Sequence, residues 1–170
     1  MCLTGDIIEQ IIFEYIDEEG IYEEILSDED LRQEELKKIR RNMQAFLDEE
    51  IVKINGVEVR PMVFHVDIGL AGSINRPFIK YLIRFAGDFK EDLNIYENIY
   101  EPEEAEYNYS VIWVFPEGAR IVDVDVGVTY FVGPSNILRF YVRKGFKTSG
   151  VERISFVLSG VPSSSTGEVS

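Results

Sequence analysis

Sulfur and imidazole are scarce in this chain: one cysteine, Cys2, and one histidine, His65, stand among 170 residues. A single Cys closes no internal disulfide, and one Cys with one His falls short of a four-ligand zinc site. A Cys2–Cys2 bridge between copies is disfavoured, because such bridges are rare in reducing cytosol. Long apolar runs are also missing. The longest is Val111 to Phe115, five residues, whereas a membrane-spanning helix needs about 20. The opening Met-Cys-Leu-Thr-Gly-Asp has neither a basic stretch nor an apolar stretch of the secretory kind. These shortages lead us to expect a soluble, cytoplasmic protein. Positive charge is short as well, with 17 basic residues against 31 acidic ones and a net charge of −14. Nucleic acid and anionic membrane surfaces both need basic partners, so neither is expected. Few Gln, Cys, Met and His beside abundant Glu make a thermophile-like composition.

What is present is unevenly spread. Residues 1–50 hold 16 acidic and 5 basic residues, net −11, and residues 51–170 are near balance at −3. Within the first part, Ile7, Ile8, Ile11, Ile12, Tyr15 and Ile16 recur at three- and four-residue intervals, which predicts a helix with Thr4 as its N-cap. Gly20 is expected to end or bend it. Ser27 reads as a second N-cap, with Asp30 in the capping-box position. Leu36, Ile39, Met43, Phe46 and Leu47 form an apolar stripe behind it, and Glu34–Lys38 an i,i+4 ion pair. The expectation is an acidic helical hairpin appended to the rest of the domain.

From residue 51 the apolar period becomes two. Asn55-Gly56 marks a type I′ hairpin turn, since both residues tolerate positive φ. At Pro61 the apolar phase switches from odd to even numbers, Met62, Phe64, Val66, Ile68 and Leu70, which predicts a bulge or an edge. Further strands are expected near 77–86, 93–99, 107–115, 119–132, 136–143 and 151–158, with turns at Pro116-Glu117-Gly118 and Gly133-Pro134. No helix-length segment separates them, so the pairing should be antiparallel. The fold class read from this pattern is α+β: a helical hairpin over 1–50, then an antiparallel sheet or β-sandwich of about eight strands over 51–160. A Ser-rich disordered tail is expected over 161–170.

Candidate site residues come from the polar phase of those strands. His65 and Asp67 share one strand face, as do Lys80 and Arg84. Asp123 and Asp125 alternate with Val122, Val124, Val126 and Val128, and Arg139 and Arg143 alternate with Leu138, Phe140 and Val142. Pairing of strands 119–132 and 136–143 would bring those aspartates opposite those arginines. The plain interpretation is a cross-strand ion-pair network in water, each pair contributing roughly 0.2–1 kcal/mol. The functional one is an anion-binding face, because Arg grips carboxylate and phosphate through two parallel hydrogen bonds.

Other signals are weaker. Residues 97–106 hold Glu97, Glu101, Glu103, Glu104 and Glu106, but without the spacing of a calcium loop, so no metal is expected. Tyr96, Tyr100, Tyr107 and Tyr109 read as core rim or as a partner surface. Gly145 to Gly150 is no phosphate loop, since a strand rather than a helix follows it. The basic residues of 32–41 lie on mixed helix faces with acidic flanks, against a DNA reader. No nucleophile elbow or catalytic spacing is present, and no cofactor is implied. The functional expectation is a non-catalytic binding or protein-interaction module, with a homo-oligomer or a protein as partner. The rival is an anionic-ligand binder or an enzyme that uses the polar sheet face.

Overall fold

A computed structural model describes residues 6–134 and 136–158 of the chain; Cys2, Thr4, Ser135 and the expected tail 161–170 lie outside the described residues. In chain order the elements are β1 (Asp6–Glu14), α1 (Ile21–Ser27), α2 (Glu29–Leu47), β2 (Ile51–Ile54), β3 (Val57–Val59) and β4 (Met62–Leu70). Then follow β5 (Pro77–Ala86), β6 (Leu93–Ile99), β7 (Asn108–Val114), β8 (Ala119–Asp125), β9 (Tyr130–Val132), β10 (Ile137–Val142) and β11 (Val151–Leu158). The fold is α+β with two antiparallel sheets. One has six strands in the order β4-β5-β1-β7-β10-β9, and the other has five in the order β3-β2-β6-β11-β8.

The first segment corrects the sequence expectation. Residues 6–14 form a central strand, paired with β5 on one side and β7 on the other. Of the first fifty residues, 6–14 are therefore built into the sheet, and the helices occupy 21–27 and 29–47. Ile7 and Ile11 point inward and Ile8 and Ile12 outward. A strand with apolar residues on both sides satisfies helical spacing by accident. β-Branched isoleucine suits the pleat better than the helix.

The helices come after this strand. Asp28, not Ser27, caps α2: its carboxylate accepts hydrogen bonds from the N–H groups of Asp30 and Leu31 at 2.9 and 3.1 Å. Lys38 pairs with Glu35 at 3.2 Å rather than with Glu34. Helix α2 runs along β4, the edge of the six-stranded sheet. Gln44 serves the β4 backbone as a strand partner would. Its Oε1 accepts from Val63 N–H at 2.9 Å and its Nε2 donates to Pro61 O at 3.1 Å. The open edge is thereby covered.

Asn55 and Gly56 adopt φ of 54° and 79°, the expected hairpin turn between β2 and β3. The phase switch falls three residues beyond Pro61, at Phe64, in a bulge between Val63 and His65. Val63, Val66 and Ile68 are consequently buried, while Met62 and Phe64 are exposed. A second bulge skips Val122 in the β8–β11 pairing, which leaves that residue exposed while Val126 is buried.

The expected strand 119–132 is broken at Gly127, whose φ is 70°. Its first half, β8, pairs with β11 in the five-stranded sheet. Its second half, β9, pairs with β10 in the other. The two sheets meet face to face through aromatic rings. Tyr96 packs on Phe85 and Trp113 at centroid distances of 5.5 and 4.7 Å, and Phe115 on Phe156 at 4.8 Å. Each ring so buried contributes about 2–3 kcal/mol of transfer free energy. No helix among the described residues is long and apolar enough to cross a membrane.

Candidate functional site

Alternation dictates which side chains enter the space between the sheets. On β1 the inward set is Ile7, Glu9, Ile11 and Phe13. On β6 it is Asn94, Tyr96 and Asn98, and on β11 Glu152, Ile154 and Phe156. Glu50 precedes β2 in phase with the buried Val52 and Ile54. Besides Asn94, four polar side chains are thus placed where the pattern calls for apolar ones: Glu9, Glu50, Asn98 and Glu152. Glu9 stands in register between Ile83 and Trp113, both fully buried. Asn98 stands in register between Val52 and Glu152.

These four line one cavity of about 400 Å³ between the sheets, beside α2. Ile11, Phe13, Met43, Leu47 and Val111 give it apolar walls, and Tyr15, Tyr81, Tyr96, Tyr100 and Tyr109 add aromatic rings with polar tips. At its mouth the segment carrying Glu103 and Ala105 is tied to the following loop. Glu103 and Thr148 bond each other's backbone, with Thr148 N–H donating to Glu103 O at 2.8 Å, and Ala105 N–H donates to Phe146 O at 2.8 Å. No Lys, Arg or His lines the cavity among the described residues.

Carboxylates in such a place resist ionisation. Burial holds the Glu9 carboxyl well above its usual range, reinforced by Glu152 and Glu50. Glu152 is pushed up to about 8 by burial and then by Glu50. Glu50 is pushed up to about 7 by burial, against the lowering influence of the hydrogen bond it accepts from Asn98 Nδ2 at 2.9 Å. Tyr100 is raised to about 12, again by burial first and Glu152 second. Asn98 is 7% exposed, and its Oδ1 has no hydrogen-bond partner.

The residues singled out from the sequence fall elsewhere. Asp67 accepts from Lys80 at 3.1 Å and from Arg32 at 3.5 Å, and Arg84 pairs with Asp6 at 3.1 Å. His65 is exposed beside the β4 bulge. The expected contact of Asp123 or Asp125 with Arg139 or Arg143 does not form, because β8 and β10 belong to different sheets. Asp125 instead stands opposite Arg153, and Arg139 opposite Phe131 and Ile112. The eight polar-face residues therefore converge on no common cleft.

The tyrosines also change role. Tyr96 is 1% exposed and cannot belong to a partner surface. Tyr100, Tyr107 and Tyr109 line the cavity with it. The signal that could have found this site was present: an acid or amide in the apolar phase of a strand. Glu9 between Ile7 and Ile11, and Asn98 following Tyr96, are such exceptions. Comparison with known proteins returns no matching family model, no matching curated protein and no matching solved structure.

Proposed function

We propose that the chain is a non-catalytic binding module whose ligand is a small molecule held between its two sheets. One observation carries this reading: a cavity of about 400 Å³ with apolar and aromatic walls and a few convergent polar groups. Ligand sites have this size and make-up, with the polar minority fixing orientation. Burying Glu9, Glu50, Glu152 and the open Asn98 carbonyl costs stability, and a ligand that satisfies them repays it.

The test is a melting-temperature screen with small cationic, neutral and anionic compounds, since a ligand that binds only the folded chain raises its stability. A raised melting temperature for one class is expected. Ala105→Trp, which would narrow the mouth without replacing a carboxyl group, should abolish the rise. No response from any class, or a response that survives Ala105→Trp, would remove the cavity from the argument.

A protein contact is a second reading, supported by edge strand β9, where Tyr130, Phe131 and Val132 are all exposed. Self-association through that edge would make the homo-oligomer expected from the sequence. A monomer by light scattering that gains no mass at high concentration would dismiss it. A cytoplasmic setting suits both readings, because the single thiol of Cys2 needs no oxidising compartment.

A further inference from the structure

We infer that the cavity takes an organic cation: an amine on an apolar body, its ammonium group seated among Glu9, Glu50, Glu152 and the Asn98 carbonyl. The inference rests on the cavity being the binding site and adds the chemistry of what enters it.

The argument begins with donors and acceptors. The Asn98 amide nitrogen donates one N–H to Glu50, while its Oδ1 acceptor, nine-tenths buried, has no partner. Once ionised, the three carboxyl groups are acceptors alone. A ligand that meets the Asn98 oxygen and the carboxylates nearest it must bring several N–H donors in a small volume, and an ammonium group brings three. It must also bring positive charge, because no basic side chain lines the cavity among the described residues.

The walls fix the rest. Tyrosine rings attract cations over their faces, and the apolar lining offers burial to a hydrocarbon body. A metal ion fits less well: among the described residues no three His, Cys, Asp or Glu side chains gather closely enough to hold one. Glu103, Glu104 and Glu106 at the mouth, on a chain of net charge −14, draw cations inward.

Empty, the cavity is tolerable because burial raises all three acids, Glu152 to about 8 and Glu50 to about 7, so that part of their charge is suppressed near neutral pH. The groups facing Glu152 are Glu9, Glu50, Tyr96, Tyr100 and Tyr109, none of them basic. An arriving ammonium supplies the counter-charge they lack. Binding should therefore expel protons from these carboxyl groups, and an uncharged ligand should not.

The experiment uses the full chain near pH 7 in physiological salt, which suppresses loose attraction to the acidic surface. Three probes share one aromatic body and differ in the head group: tryptamine, its neutral alcohol tryptophol, and indole-3-acetate. Hexane-1,6-diamine is added as an aliphatic amine. Calorimetry in two buffers of different ionisation enthalpy reports both affinity and protons released.

The expected result is that an amine binds with proton release, the alcohol roughly tenfold to a hundredfold more weakly, and the acid not at all. Glu152→Gln and Glu9→Gln should each weaken the amine by a similar factor and reduce the proton release. Asn98→Leu serves as an independent third variant. Tighter binding of the alcohol or the acid would overturn the cation inference and leave the cavity reading standing. Failure of both amines would also overturn it, and the cavity reading would fall with it only if the alcohol and the acid failed too. Amine binding that ignores all three substitutions would place the cation outside the cavity and end the proposal.

Discussion

Strand β6 carries two buried asparagines four residues apart, and the fold treats them in opposite ways. Asn94 is fully buried and fully used. Its Oδ1 accepts from Lys90 N–H at 2.7 Å and from Asn55 Nδ2 at 2.9 Å, and its Nδ2 donates to the carbonyls of Lys90 and Asp92. Asn98, also directed inward, gives its Nδ2 to Glu50 and leaves its Oδ1 unmatched. One asparagine is a fastener that holds a turn to the β2–β3 hairpin. The other is an open socket beside a cavity. Burial of a polar group does not by itself mark a candidate site here; what sets Asn98 apart is an unfilled bonding position beside a cavity.

Four measurements would break or sharpen that contrast. Asn94→Ala should cost about 3 kcal/mol in denaturant unfolding, because it strands several buried partners at once. A cost as small as that of an ordinary surface change would deny Asn94 its fastening role.

The next effect in size concerns the acids around Asn98. Their folded-state pKa values lie above the unfolded ones, so the fold binds these protons more tightly than the unfolded chain does. Their contribution is fully present below about pH 4.5 and is lost as pH rises through about 7 for Glu50 and about 8 for Glu152. Melting temperature should consequently fall between pH 5 and pH 9. Glu152→Gln should flatten that fall and stabilise the ligand-free chain at pH 9 by about 2–4 kcal/mol. A loss of stability at that pH would mean the carboxylate is satisfied after all.

Asn98→Leu comes third. It removes the Glu50 hydrogen bond and also a buried unmatched acceptor, two changes of opposite sign, so the net effect should stay within about 1 kcal/mol. A loss comparable to that of Asn94→Ala would erase the distinction between the two residues. The smallest effect is expected at Asp67→Ala on the outer sheet face. That side chain bridges Lys80 and Arg32 in partial contact with water and should be worth less than about 1 kcal/mol. A larger loss would restore the polar face as a feature in need of explanation.

Much of this architecture is legible in the residues themselves. The strands expected at 77–86, 93–99 and 151–158 match β5, β6 and β11 in their bounds, because alternation and turn residues fix both phase and ends. Asn55-Gly56 dictates its hairpin for the same local reason. β1 was hidden because a strand flanked on both sides carries isoleucine on both faces, and its double pairing involves residues about 70 and 100 positions away. The break at Gly127 was hidden because changing sheets requires only a local bend, while the valine pattern runs on through it.

The site was missed for a further reason. The polar phase of a strand attracts attention, yet Asp67, Lys80 and Arg84 there find partners in water. Glu9, Glu50, Asn98 and Glu152 occupy the apolar phase, on strands that are neighbours only after folding.

The place of β1 in its sheet also bears on how the chain is made. Its neighbours on either side are β5 and β7, so one flank waits for residue 86 and the other for residue 114 to be synthesised. At translation speeds of about 5–20 residues per second, roughly 5–20 s pass before both flanks of this isoleucine-rich segment are covered. Early acidic residues accompany it out of the ribosome: Asp17, Glu18 and Glu19 follow it directly, and the heavily charged helices come next. Like charge on many nascent copies keeps them apart during that interval. On this view the negative excess of the first fifty residues guards the growing polypeptide against sticking to its siblings.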